Sequence, residues 1–123
     1  MIENFENETY ELSDKEKKLL PALVNILQNH VGKNNAIKNY QICEFLNKYN
    51  LPVKVQDARV RKMINYIRNN NLVPCLMATS TGYYVTRDPE ELESFIRSLN
   101  GRIDAIKKVR DSMVEQLNNL KQR

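Results

Sequence analysis

Leu20, Leu23, Val24, Leu27 and Val31 recur at i, i+3, i+4, i+7 and i+11, the repeat of an amphipathic helix. Ahead of them, Ser13-Asp14-Lys15-Glu16 has the form of a capping box, in which the serine and the glutamate each satisfy the other's backbone N–H. Pro21 cannot donate to the carbonyl of Lys17, so this helix either bends there or begins near Leu20. It is expected to end near His30. Gly32-Lys33-Asn34-Asn35 then reads as a stop and a turn, Gly32 being suited to the left-handed conformation that closes a helix.

A second helix is expected from Asn39, as its cap, with Ile42, Phe45, Leu46 and Tyr49 as its apolar stripe. Asn50-Leu51-Pro52 should end it, because the residue before proline is pushed out of the helical region. A third helix starts near Gln56 or Asp57 and runs to about Asn69, with Val60, Met63, Ile64 and Ile67 clustered on its buried side. Pro74–Thr79 and Tyr83–Thr86 are short apolar or β-favouring runs joined by Ser80-Thr81-Gly82, which predicts a hairpin. Tyr83 and Tyr84 should point to opposite faces of its second strand.

Asp88-Pro89-Glu90-Glu91 is a helix start: a capping aspartate, proline at the first helical position, and acids near the positive end of the helix dipole. Beyond it Leu92, Ile96, Leu99, Ile103, Ile106, Arg110, Met113, Leu117 and Leu120 alternate at spacings of four and three, a heptad seam with one polar break. Val109 is an alternative to Arg110 in that seam. A continuous helix to Lys121 would run roughly 50 Å, longer than a domain of this size covers by itself. A homodimer through the seam residues Leu92, Ile96, Leu99, Ile103, Ile106, Met113, Leu117 and Leu120 is the expected solution. Packing of the first turns, around Leu92, Phe95 and Ile96, on the first helix is the alternative.

The pattern therefore divides the chain into an acidic arm (1–12), disordered or loosely docked, a compact domain (13–87) and a long helix (88–123). Three helices followed by a two-stranded hairpin is a mainly α (α+β) arrangement and the order of a winged helix-turn-helix. The net charge of +4 conceals an uneven distribution. Residues 1–14 carry five acids and no base, whereas residues 31–87 carry nine bases against two acids. Such a local positive field favours a polyanion.

The third helix supplies the chemistry. Opposite its apolar side fall Ala58, Lys62, Asn65 and Asn69, flanked by Arg59 and Tyr66 on one edge and by Arg61 and Arg68 on the other. Lysine and arginine offer donors to guanine O6/N7 and to phosphates, asparagine pairs bidentately with adenine, and a small alanine permits close approach to a major groove. Double-stranded DNA is thus the expected partner. Lys62, Asn65 and Arg61 would touch bases or phosphates, Ala58 would allow the approach, and Arg59, Arg68, Lys33, Lys38 and Lys54 would hold the backbone. The hairpin tip is small and uncharged, which leaves hydroxyl or backbone contacts to phosphate.

Arg59-Val60-Arg61-Lys62-Met63-Ile64-Asn65-Tyr66-Ile67-Arg68, Leu72-Val73-Pro74-Cys75-Leu76, Ser80-Thr81-Gly82-Tyr83-Tyr84-Val85 and Asp88-Pro89-Glu90-Glu91-Leu92 together resemble small phage- and prophage-type winged-helix proteins, which are similar to the helix-turn-helix domains of biotin-repressor-like regulators. The resemblance spans Gly32 to about Arg102 and implies a winged-helix fold and DNA binding, as in a transcriptional regulator or a replication or maintenance factor of a mobile element. This chain departs from many such domains in having no base at the wing tip.

Other classes are disfavoured. One histidine, no glycine-rich phosphate loop and no placed nucleophile argue against an enzyme. His30 is expected in a capping or surface role. Cys43 and Cys75 lack CxxC spacing and read as small core residues, so neither metal nor cofactor is expected, nor a small-molecule site. With no apolar run of membrane length and no signal-like start, a cytoplasmic location and no membrane contact are expected. The competing reading is a protein–protein interaction module that uses the winged helix as a scaffold. Substituting Lys62→Glu with Asn65→Ala is the expected way to separate the two.

Overall fold

The computed structural model describes residues 11–49 and 54–122 and divides into two units, 1–87 and 88–123. Most of the acidic arm and the Asn50-Leu51-Pro52 stop lie outside the described residues, as does the side chain of Tyr49.

In the first unit, helix α1 covers Asp14–Gln28. Ser13 is its N-cap: the Ser13 hydroxyl accepts from the N–H of Glu16 at 3.2 Å, and the Ser13 N–H donates to Glu16 Oε1 at 2.8 Å. With four N-terminal amides otherwise unsatisfied, this reciprocal pair starts the helix at Asp14 and carries it through Pro21, which is exposed. The buried stripe is Leu19, Leu23, Ile26 and Leu27, with Glu16 at its upper end. Val31 has left the helix, contrary to its place in the expected stripe. Gly32, at φ 88°, turns the chain so that its N–H donates to Val85 O at 2.9 Å, while His30 O accepts from Val85 N at 2.8 Å.

A 3-10 turn at Lys33–Asn35 leads to helix α2, Asn39–Leu46. Its N-cap is Lys38 rather than Asn39, and the Lys38 N–H is satisfied by Gln41 Oε1 at 2.8 Å. Asn39 instead accepts from the Cys43 thiol at 3.5 Å. Ile42, Cys43 and Leu46 form the buried face of α2, whereas Phe45 is exposed, with the Lys48 ammonium 5.6 Å from its ring centroid. After a second 3-10 turn, the Asn47 side chain bonds both backbone groups of Val55, accepting from its N–H at 2.7 Å and donating to its carbonyl at 3.2 Å. That clamp fixes where helix α3, Asp57–Asn69, begins.

Val60, Met63, Ile64 and Ile67 of α3 are all buried, and with Leu23, Leu27, Ile42, Leu46 and Val55 they make the core. At about 1.5–3 kcal/mol for each large apolar side chain, this burial is the dominant favourable contribution to folding. The helix closes in a Schellman motif: Leu72 N–H reaches Ile67 O at 3.0 Å, Asn71 N–H reaches Arg68 O at 3.4 Å, and Asn71 takes the left-handed conformation at φ 55°.

Strands β1 (Leu76–Thr79) and β2 (Gly82–Val85) form an antiparallel hairpin in the register Leu76↔Val85, Met77↔Tyr84, Ala78↔Tyr83, Thr79↔Gly82. Tyr84 is buried and Tyr83 half-buried, as alternation requires. On the other edge β2 pairs with the segment between α1 and α2, in an antiparallel bridge at Ile37 and a parallel one at Val31. Gly82 sits in this crossing at φ 124°, and a Cβ there would lie 2.5 Å from Ile37 O. Cys75, expected in the core, is exposed at φ 62°.

The second unit is helix α4, Pro89–Lys121, capped by Asp88 through the N–H of Glu90 at 3.0 Å. None of its residues is buried. Among the described residues, no helix is long and apolar enough to cross a membrane.

Candidate nucleic-acid interface

The start of α2, the start of α3 and the hairpin converge on one concave face of the first unit. A groove of about 570 Å³ between α2 and α3 is lined by Tyr40, Cys43, Glu44, Asn47, Lys54, Val55, Gln56, Asp57, Ala58 and Arg61. A second, of about 430 Å³, lies between the start of α2 and the hairpin, bounded by Lys38, Asn39, Tyr40, Asp57, Ala78, Thr79, Ser80, Gly82 and Tyr83. Tyr40 and Asp57 border both, which makes the two grooves one surface.

Of the expected DNA-contacting residues, Lys38, Lys54, Ala58 and Arg61 are gathered on this surface. Asn65 and Arg68, four and seven residues after Arg61, continue the same helical face and are half-buried. Lys33 is exposed on the turn after α1 and lines neither groove.

Lys62 and Arg59 are placed differently. Lys62 Nζ donates to Glu16 Oε1 at 2.9 Å, and Arg59 Nε lies 3.5 Å from Glu16 Oε2. The Glu16 side chain is only 4% exposed, so its charge needs partners, and the long lysine stem carries an ammonium from the expected outer face back to α1. Burial pushes the Glu16 carboxyl upward, but the N–H of Ser13 and the Lys62 ammonium outweigh it and leave the group below its ordinary value.

Acidic groups belong to this surface as well. Asp57 Oδ1 accepts from the Cys43 thiol at 3.4 Å. Burial, and then this bond and the Asp57 charge, raise the Cys43 thiol to about 11. Thr79 and Thr81 share a hydroxyl hydrogen bond of 2.7 Å at the hairpin tip. His30 Nδ1 lies 2.7 Å from Asn35 O, a local structural contact. Among the described residues, no group of three or more His, Cys, Asp or Glu side chains is placed to hold a metal ion.

Tyr40 and Gln56 were not anticipated as members of this surface, whereas Ser80 belongs to the hairpin tip expected to offer hydroxyls, with the half-buried Tyr83 beside it. Tyr40 carried a signal: it falls off the apolar stripe of α2, and it is 56% exposed. Comparison with protein-family models, with curated proteins and with solved structures yields no match to this chain.

Proposed function

We propose that the first unit is a winged helix-turn-helix that binds double-stranded DNA, as a homodimer joined through α4. The observation that carries this reading is the single surface built from the starts of α2 and α3 and the hairpin, with Lys38, Lys54 and Arg61 around it. The hairpin is anchored to the helices through Ile37 and Val31, which supports a wing held in fixed relation to α3.

In this reading α3 enters the major groove. Arg61 and Asn65 meet base edges, Ala58 permits close approach, and Lys38 and Lys54 hold phosphates. Arg68 extends the contact along the same face, and Ser80 and Thr81 offer hydroxyls to the backbone at the tip. Asp57 favours a base donor, such as cytosine N4, over a phosphate at its position. Lys62, expected at bases or phosphates, and Arg59, expected at the backbone, are both drawn to Glu16, and this reading leaves them out of its contact set.

The test is fluorescence anisotropy with random-sequence duplexes at about 50 and about 200 mM salt, where affinity should fall steeply. Arg61→Glu combined with Asn65→Ala should abolish binding without moving the melting temperature. Absence of binding by the unmodified chain at about 50 mM salt would overturn the reading. Lys62→Glu is unsuitable for this purpose, because it sets a second carboxylate against Glu16. A protein-docking scaffold is the second reading, favoured by the exposure of Tyr40 and Phe45 together. It predicts that Tyr40→Ala, rather than the α3 pair, ends recruitment.

A further inference from the structure

Helix α4 carries its apolar residues on one side, and none of them is buried. Ile96, Ile103, Ile106, Met113, Leu117 and Leu120 are 48–64% exposed, and Val109 and Val114 widen the stripe near its middle. A row of this length is the seam of a coiled coil awaiting a second helix.

Charge decides how the second helix runs. Residues 88–93 hold Asp88, Glu90, Glu91 and Glu93 and no base, whereas residues 107–122 hold Lys107, Lys108, Arg110 and Lys121 against Asp111 and Glu115. Two copies side by side in parallel would set acids against acids at one end. They would also bring Arg102 beside Lys107 on both flanks, and stack Arg110 on its own copy inside the seam. Reversing one copy takes the two acidic ends apart, brings Glu93 of each copy beside Lys121 of the other, removes the Arg102–Lys107 and Arg110–Arg110 approaches, and opposes the two helix dipoles.

We infer that α4 pairs antiparallel with α4 of a second copy, centred near Lys108, so that Ile96 meets Leu120, Leu99 meets Leu117, Ile103 meets Met113 and Ile106 meets Arg110. This inference rests on the homodimer proposed above and not on the DNA ligand. In this register Glu93 lies beside Lys121 of the other copy, twice. Each Arg110 faces an isoleucine and keeps its own Asp111 at 2.9 Å. One like-charge approach remains, Lys107 against its own copy at the centre. The two chain entries, at Asp88, then lie roughly 60 Å apart along the axis.

The experiment uses the full chain with Cys75→Ser, since that thiol is exposed and Cys43 is buried. Light scattering of this otherwise unlabelled chain should report a dimer, and a monomer at concentrations on the order of 100 μM would overturn the homodimer itself. A single spin label at Ser94→Cys, on the side of α4 away from the seam, then reads direction by pulsed dipolar spectroscopy. Antiparallel pairing separates the two labels by roughly 42 Å along the axis. Parallel pairing leaves no axial separation, only the width of two helices ~10 Å apart plus the label arms, and a distance of about 20 Å would overturn the orientation while leaving the dimer standing. Adding about 1 M salt should weaken the dimer by screening the end charges.

Discussion

Lys62 Nζ lies 2.9 Å from Glu16 Oε1, and that same oxygen accepts the Ser13 N–H at 2.8 Å. One nearly buried carboxylate therefore caps α1 and ties it to α3, 46 positions further along the chain. Glu16→Gln should remove the charge that Lys62 and Arg59 face and cost about 2–3 kcal/mol of stability, in the range for breaking a partly buried ion pair. Urea unfolding measures this. A change below about 0.5 kcal/mol, the size of an ordinary surface substitution, would show that the pair does not hold the helices together.

The same carboxylate sets a pH dependence. Its folded value is lowered from the ordinary 4.5, so the folded state favours the ionised form. The resulting stability is present above about pH 4.5 and is lost as the pH falls through the lower folded value. Unfolding free energy should decline on acidification through that window, and Glu16→Gln should flatten the slope there. An unchanged slope in the variant would assign the decline to other groups.

Gly82→Ala should disrupt the seating of the hairpin. The new Cβ would meet Ile37 O at 2.5 Å, and φ 124° strains any L side chain. The expected cost exceeds about 2 kcal/mol, with hydrogen exchange accelerated first at the Ile37 and Tyr83 amides, which bond each other's carbonyls. If exchange at these two amides is unchanged, the bridge is not what holds the hairpin.

The two thiols should separate cleanly under a disulfide reagent near pH 8. Cys75 is exposed and should react at once. Cys43, buried and raised to about 11 beside Asp57, should react only on unfolding. Asp57→Asn should make Cys43 more reactive, and equal rates for both thiols in the unmodified chain would contradict the packing of α2 on α3.

Local chemistry was enough for the elements themselves. Asp88 with Pro89 and the Ser80-Thr81-Gly82 connection act over three or four residues, so the start of α4 and the position of the hairpin could be read directly from neighbouring side chains, whereas Ser13 with Glu16 pointed to the start of α1 but Pro21 left a start near Leu20 open. The 33-residue extent of α4 followed for the same reason, because no residue in it competes with the helix strongly enough to end it. The buried face of α3 was legible because helical period alone selects Val60, Met63, Ile64 and Ile67.

What those residues meet was set by contacts between distant parts of the chain. Val31 continued the period of α1, yet backbone pairing with Val85 draws it out of the helix, a gain available only once β2 is beside it. Phe45 matched the stripe of α2 but found no core, since Ile42, Cys43 and Leu46 already fill the space against α3. Lys62 stood at the centre of the outward face by angle, and only the nearness of Glu16 turns its flexible stem aside. Periodicity states which side of a helix is apolar, whereas the destination of a long charged side chain depends on which opposite charge folding leaves buried within its reach.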